Sequence, residues 1–226
     1  MIKAVLFDLD GTLIDSIKMH FNVEKKSYKN VYGIDLTRKI WISAMGFPEP
    51  EFCAFLCRKC KVPDKLAQDK YPDLLRARNS GLREYILNRP LPLCPGANEL
   101  LAELKHLGKK IGLVTGNAKS TGSYLLEKSS LKPYFDADCY SDNVKDRAEL
   151  VANAIAKINS LSKNKFRNEE FLVVGDTVHD IASAKANGCR SMGVCTGFAN
   201  RGDFEKAGAD HVLDNLKNKD KFLSLL

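Results

Sequence analysis

Residues Ile2 to Phe7 form a short apolar run, uncharged after Lys3, that stops at Asp8-Leu9-Asp10-Gly11. A run of this length closed by a glycine turn reads as a buried strand. Two later runs are built the same way: Ile111-Gly112-Leu113-Val114 ends in Thr115-Gly116-Asn117, and Phe171-Leu172-Val173-Val174-Gly175 ends in Asp176-Thr177. From Leu91 onward, expected strands over 110–115, 137–141, 171–175, 191–195 and 211–213 alternate with expected helices over 97–107, 120–129, 147–159 and 180–186. Such alternation predicts an α/β protein, with a Rossmann-like core of parallel strands joined by right-handed crossovers and flanked by helices. The polar turns then fall at the carboxyl edge, where such a sheet presents its chemistry.

The segment from about Ser16 to Arg89 has a different texture. Its spacing predicts helices over 17–32, 49–60, 65–79 and 81–88 and no core strand. The expected organisation is a discontinuous core, residues 1–15 and 94–226, interrupted by an all-helical cap domain at 16–93. A module leaving beside Asp8 and Asp10 is suited to cover a site, exclude water and choose substrates.

Three turns carry the candidate chemistry. Side chains along a strand alternate faces, so Asp8 and Asp10 start on the same side. Two carboxylates so close raise one another's pKa unless a cation holds both ionised, and Mg²⁺, a hard ion that joins carboxylates to phosphate oxygens, suits the pair. One aspartate can then attack while the other handles a proton; a plain Asx-type turn has the same composition. The hydroxyl and amide donors of Thr115-Gly116-Asn117 suit a phosphate oxygen. Asp176 and Asp180, four residues apart, share one face of a helix that starts there, and capping that helix is compatible with holding a metal.

The pattern Val5-Leu6-Phe7-Asp8-Leu9-Asp10-Gly11-Thr12 resembles the first motif of the haloacid dehalogenase-like superfamily, hhhhDxDGT with h apolar, and Leu13-Ile14-Asp15-Ser16 continues the likeness. Thr115 stands where that family's second motif places a phosphoryl-binding Ser or Thr. Gly175-Asp176-Thr177-Val178-His179-Asp180 resembles the fourth, GDxxxD, followed by an Ala-rich helix and Gly188. The family's Lys or Arg before this region is less clear: the usual Lys-Pro-x-Pro is replaced by Lys145-Asp146-Arg147-Ala148-Glu149-Leu150. Aligning Lys145 with the usual lysine makes it the first choice, with Arg147 the rival and a solvated surface charge the alternative for either.

The resemblance implies an enzyme, a phosphoglycolate phosphatase-like phosphoric monoester hydrolase acting on a small phosphorylated metabolite through an aspartyl-phosphate. Asp8 would be the nucleophile and Asp10 the acid and base. Mg²⁺ would be held by Asp8, the Asp10 carbonyl and Asp176, with Asp180 a ligand or a brace for one. Thr115, Gly116, Asn117 and the cation at Lys145 or Arg147 would hold phosphoryl oxygens. A phosphomutase of the β-phosphoglucomutase type shares these motifs, and a non-catalytic binding protein can use the same fold. A dehalogenase needs no metal, and the retained Asp10 and acidic fourth motif argue against it.

Composition narrows the partners. The 226 residues, 44% of them apolar, suit one large domain or a core with an insertion. A net charge of +7 is spread over Lys-rich helical faces, with no arginine-rich or aromatic-interleaved run. The expectation is attraction of anionic substrates rather than nucleic-acid binding. No run approaches the roughly 20 apolar residues of a bilayer span, and the first run is interrupted by Asp8 and Asp10, unlike a secretory signal. Seven cysteines, an odd number, then point to reduced thiols in a cytoplasmic protein. Cys53, Cys57 and Cys60 share a helical face, where three thiols can bind zinc or simply pack. His20, His106, His179 and His211 show no ligand spacing. Met45-Gly46-Phe47-Pro48 resembles a cap's substrate loop, and Arg76, Arg78 and Arg83 are candidates for a second anionic group. Oligomeric state is left open.

Overall fold

The computed structural model describes residues 1–45, 47, 49, 51–87, 90–142 and 144–226. They divide into two compact units, Met1–Asp15 with Pro92–Leu226, and Ser16–Leu91. The first unit opens with β1 (Ala4–Phe7), every residue of which is buried. The chain re-enters it at Pro92 rather than at 94. Asp15 N–H donates to Pro92 O at 2.9 Å, Cys94 N–H donates to Leu13 O at 2.9 Å, and Ile14 bridges antiparallel to Leu93.

The second unit is helical: α1 (Ile17–Tyr32), α2 (Arg38–Ile42), α3 (Glu51–Lys59) and α4 (Asp64–Leu87). A break expected at Ser80-Gly81 does not occur, and α4 runs through it. Gly81 lies where a Cβ would meet Val23 Cγ1 at 3.3 Å, so its missing side chain lets α4 lie close to α1. Here glycine serves helix packing rather than helix termination. Within this unit Cys53 and Cys57 are buried, and Cys60 is half-buried. Burial raises all three thiols above the usual range, which favours packing over thiolate chemistry. Arg78 Nε pairs with buried Glu24 at 2.8 Å, and Arg78 Nη1 pairs with Glu49. Its charge is spent inside the unit. Arg76 pairs with Asp73 on the surface. Gly46 and Pro48 of the expected substrate loop lie outside the described residues.

The rest of the first unit runs α5 (Ala97–His106), β2 (Lys110–Val114), α6 (Lys119–Lys128), β3 (Ala137–Cys139), α7 (Arg147–Leu161), β4 (Phe171–Gly175), α8 (Val178–Ala186), β5 (Arg190–Val194), α9 (Arg201–Ala207), β6 (His211–Leu213) and α10 (Lys219–Leu223). All pairings are parallel, in the order β3-β2-β1-β4-β5-β6. This is the doubly wound order, in which the direction of winding reverses at β1. The turns after β1, β2 and β4 therefore neighbour one another. Of the described helices, none is long and apolar enough to cross a membrane.

Apolar residues drive the layers together. Leu6, Val114, Val173, Val151, Ala154 and Ile158 belong to one buried cluster that welds α7 to the sheet. Short helices α2, α9 and α10 escape periodicity because each has only five to seven residues. Their starts are marked instead by side-chain caps from Thr37, Asn200 and Asn218. At Gly96, φ is +85° and a Cβ would lie 2.3 Å from the Leu216 backbone, so only glycine fits.

Gly193 gives the sharpest stability test of the sheet. A Cβ there would stand 2.4 Å from the ring of fully buried Phe204. Gly193→Ala should cost about 1–3 kcal/mol, the range for overpacking a core. Urea unfolding followed by circular dichroism reads this directly; an unchanged midpoint would show that the ring moves aside freely.

Candidate active site

β1, β2 and β4 end side by side, and each ends in a polar turn. Asp8 follows β1, and its N–H donates to Val174 O of β4 at 2.9 Å. Gly11, with φ +78°, then folds the chain back. Thr115 follows β2 and is 1% exposed. Asp176 follows β4 and is equally buried. Asp180 belongs to the first turn of α8, where its Oδ2 accepts from Thr177 N–H at 3.0 Å and Thr177 Oγ1–H at 2.7 Å. This capping box satisfies the helix start and aims Asp180 back at the sheet edge. His179 is exposed.

Ligand oxygens of Asp8, Asp176 and Asp180 all lie within 4.8 Å of one another. One guanidinium meets them: Arg147 Nη2 is 2.9 Å from Asp8 Oδ1 and 2.5 Å from Asp180 Oδ1. Arg147 comes from the first residue of α7, whose start is fixed by the Asp146 side chain accepting from Glu149 N–H at 2.9 Å. Lys145, preferred over Arg147 from the alignment, is exposed, and its backbone N–H donates to Glu149 at 2.7 Å. Of the two, the structure places Arg147 against the carboxylates. Lys145 lies just outside the helix, whereas Arg147 is carried into the carboxylates by the first turn of α7.

Burial, then repulsion from Asp180 and Asp10 against the attraction of Arg147, pushes Asp8 up to about 7. Burial and the charges of Asp8 and Asp180 raise Asp176 well above the carboxylate range. Burial works against the charge on Arg147, but Asp180 and Asp8 keep it protonated. Three carboxylates face one guanidinium; Arg147 Nη2 has only its ion pairs, and the buried Asp176 Oδ1 and Arg147 Nε have no hydrogen-bond partner. Asp176 Oδ1 is an acceptor suited to a hard cation, and Arg147 Nε a donor suited to an anionic oxygen. Among the described residues, this is where acidic, His or Cys side chains converge closely enough to hold an ion; Cys53, Cys57 and Cys60 do not.

Asp10 stands apart from that cluster. Its Oδ2 accepts from Asn117 Nδ2, and Asn117 also donates from Nδ2 and from its backbone N–H to Thr115 Oγ1, at 3.0 and 3.2 Å. Exposed Gly116 completes the turn, and a Cβ there would approach Arg147 Nη1 at 3.6 Å. The DxD pair is thus divided, with Asp8 facing the acidic cluster and Asp10 facing the Thr115 turn.

Sequence reasoning missed the loop after β5. Phe198 N–H donates to Asp176 Oδ2 at 3.0 Å, Ala199 N–H to Asp176 O at 3.0 Å, and Thr196 Oγ1–H to Gly11 O at 2.6 Å. A Cβ on Gly197 would fall 1.7 Å from Asp176 Oδ2, and one on Gly175 2.0 Å from the Asp180 carboxylate carbon. The signal was present: Thr196-Gly197 after a strand repeats the Thr115-Gly116 construction.

The sequence profile of the haloacid dehalogenase-like hydrolases matches residues 5–194. This chain belongs to that family. It is 27% identical to the phosphorylated carbohydrates phosphatase of Thermotoga maritima over 82% of each chain. It is 25% identical to the phosphoglycolate phosphatase of Vibrio parahaemolyticus over 95% of this chain and 93% of that one. Its fold superposes on the crystal structure of β-phosphoglucomutase from Clostridium difficile with a TM-score of 0.83 and 21% identity, covering 100% of this chain and 96% of that one.

Removing Arg147 should leave the buried carboxylates uncompensated. Arg147→Ala is expected to destabilise the metal-free protein by about 3–5 kcal/mol at neutral pH. Adding Asp180→Asn should recover part of that loss. Additive losses, measured by thermal or urea unfolding, would mean that the two side chains are not coupled.

Proposed function

We propose that this chain is a Mg²⁺-dependent phosphatase that hydrolyses small phosphorylated metabolites through an aspartyl-phosphate on Asp8. The observation that carries the reading is the pairing of an orphaned acceptor, Asp176 Oδ1, with an orphaned donor, Arg147 Nε, in one buried cluster around Asp8. A divalent cation and a phosphoryl group would satisfy both. The names of the Thermotoga and Vibrio relatives support a phosphate-monoester substrate.

Asp8, Asp176 and the backbone carbonyl of Asp10 would hold the ion, with Asp180 bracing Arg147 from its capping box. Bound there, Mg²⁺ would keep Asp8 ionised and screen the repulsion between its carboxylate and the phosphate. The Asp8 carboxylate attacks phosphorus in line. Asp10 gives a proton to the leaving alcohol, then takes one from the water that cleaves the phosphoenzyme. Thr115, already accepting two hydrogen bonds from Asn117, keeps its O–H hydrogen for a phosphoryl oxygen. Arg147 opposes the remaining charge, the electrostatic stabilisation on which phosphoryl transfer chiefly depends. Residues 16–91, inserted after Asp15, act as the cap that selects the ester. The unpaired thiols suit a reducing, cytoplasmic setting.

With Mg²⁺, the protein should release phosphate from members of a panel of small phosphorylated metabolites. Asp8→Asn should abolish turnover while leaving the melting transition in place; phosphate release by that variant would exclude Asp8 as nucleophile. The ion can be tested without turnover. Gly197→Ala, which pushes into Asp176, should weaken Mg²⁺ binding by about 10–100-fold in titration calorimetry. Equal affinities would remove Asp176 from the metal site.

A further inference from the structure

Asn117 is held more firmly than a half-buried turn residue needs to be. Its carbonyl accepts from Ser141 N–H at 3.0 Å, tying the turn after β2 to the end of β3, and its N–H is committed to Thr115 Oγ1. The side chain is fixed at both ends: one Nδ2 hydrogen goes to Thr115 Oγ1 and the other to Asp10 Oδ2. The reversed amide would set a carbonyl oxygen against a carboxylate, so the donor must face Asp10. An oxygen that receives an amide N–H does not itself present a proton in that direction. The bond therefore fixes Oδ2 toward Asn117 and with it the orientation of the Asp10 carboxyl.

We propose that Asn117 is the positioning residue for Asp10, holding its carboxyl in the orientation from which it delivers the proton to the leaving group; this rests on the phosphatase reading above. In the first step a bond forms between an Asp8 oxygen and phosphorus, and the ester P–O bond breaks. The Asp10 carboxyl proton moves to the departing oxygen, leaving an alcohol and the Asp10 carboxylate. In the second step the oxygen of water bonds to phosphorus while one of its protons passes to the Asp10 carboxylate. The Asp8–phosphorus bond breaks, and its electrons return to the Asp8 carboxylate. Asn117 touches neither phosphorus nor the leaving group. It acts by removing the rotational freedom of Asp10, the kind of orientation on which general acid catalysis depends.

A residue that holds the phosphoryl group affects every ester alike, whereas one that positions the acid matters only when the leaving group needs a proton. The test is kcat/KM, which includes departure of the leaving group, measured on an alkyl phosphate and on 4-nitrophenyl phosphate. Asn117→Ala should lose about 100-fold on the alkyl ester, and at least about tenfold less on the aryl ester, whose leaving group departs as a stable anion. Asp10→Asn on the same pair sets the scale of the effect. Asn117→Asp keeps the side chain's size but sets a carboxylate against Asp10. It should show the same selectivity, and it carries the test if the alanine variant melts early. Equal losses on both esters in the folded variant would make Asn117 a phosphate contact and overturn the proposal. If the wild-type protein cleaves neither ester nor any metabolite of the panel, the phosphatase reading fails, and this role fails with it.

Discussion

Three carboxylates buried around a single guanidinium form an assembly that a protein interior does not sustain by itself. Each charge is taken from water at a cost of several kcal/mol, and mutual attraction offsets that only when every lone pair and proton finds a partner. Here they do not: Asp176 Oδ1 and Arg147 Nε are left over, and the Asp8 and Asp176 carboxyls are pushed upward. The doubly wound sheet puts β1 between β2 and β4 and so forces their turns together. The crowding of charge is a consequence of that topology, and its donor set fits a cation beside an anionic ligand.

The cluster persists because rigid groups surround it. Asp180 belongs to a capping box and cannot swing away without unpairing the start of α8. Asp176 is pinned by Phe198 N–H and fits against the bare Cα of Gly197. Gly175 and Gly193 lie opposite each other in the β4–β5 register, one making room for Asp180 and the other for Phe204. These glycines are demanded by close approach rather than by a turn. Each places a side chain where a methyl group would otherwise stand.

The helical unit solves a related problem by other means. Arg78 is neutralised by Glu24 and Glu49, and burial followed by the charge of Glu49 against the attraction of Arg78 raises Glu24. Candidates for anion recognition drawn from sequence are thus partly consumed by internal packing. A charged residue on an expected helix does not reveal whether its partner is a ligand or the facing helix, because that depends on which helices pack.

The residues of this chain, taken in order, announce a parallel α/β core: the apolar runs of β1, β2 and β4, buried on both faces, have no other stable home. Their polar ends identified Asp8, Asp10, Thr115, Asp176 and Asp180 as the groups to watch, because a strand that stops at a carboxylate and a glycine exposes that carboxylate at the sheet edge. Tertiary structure decided the rest. It placed Arg147 rather than Lys145 among the carboxylates, since two residues at a helix start separate a guanidinium turned inward from an exposed ammonium. It joined Asp10 to Asn117, a hydrogen bond between residues 107 positions apart that no local pattern encodes. It also brought in Gly197 and Phe198, whose importance lies in what they approach. Strand and turn chemistry is local and legible in sequence. Which charges meet, and which atoms are left without a partner, is settled only when separate segments are packed at a common edge.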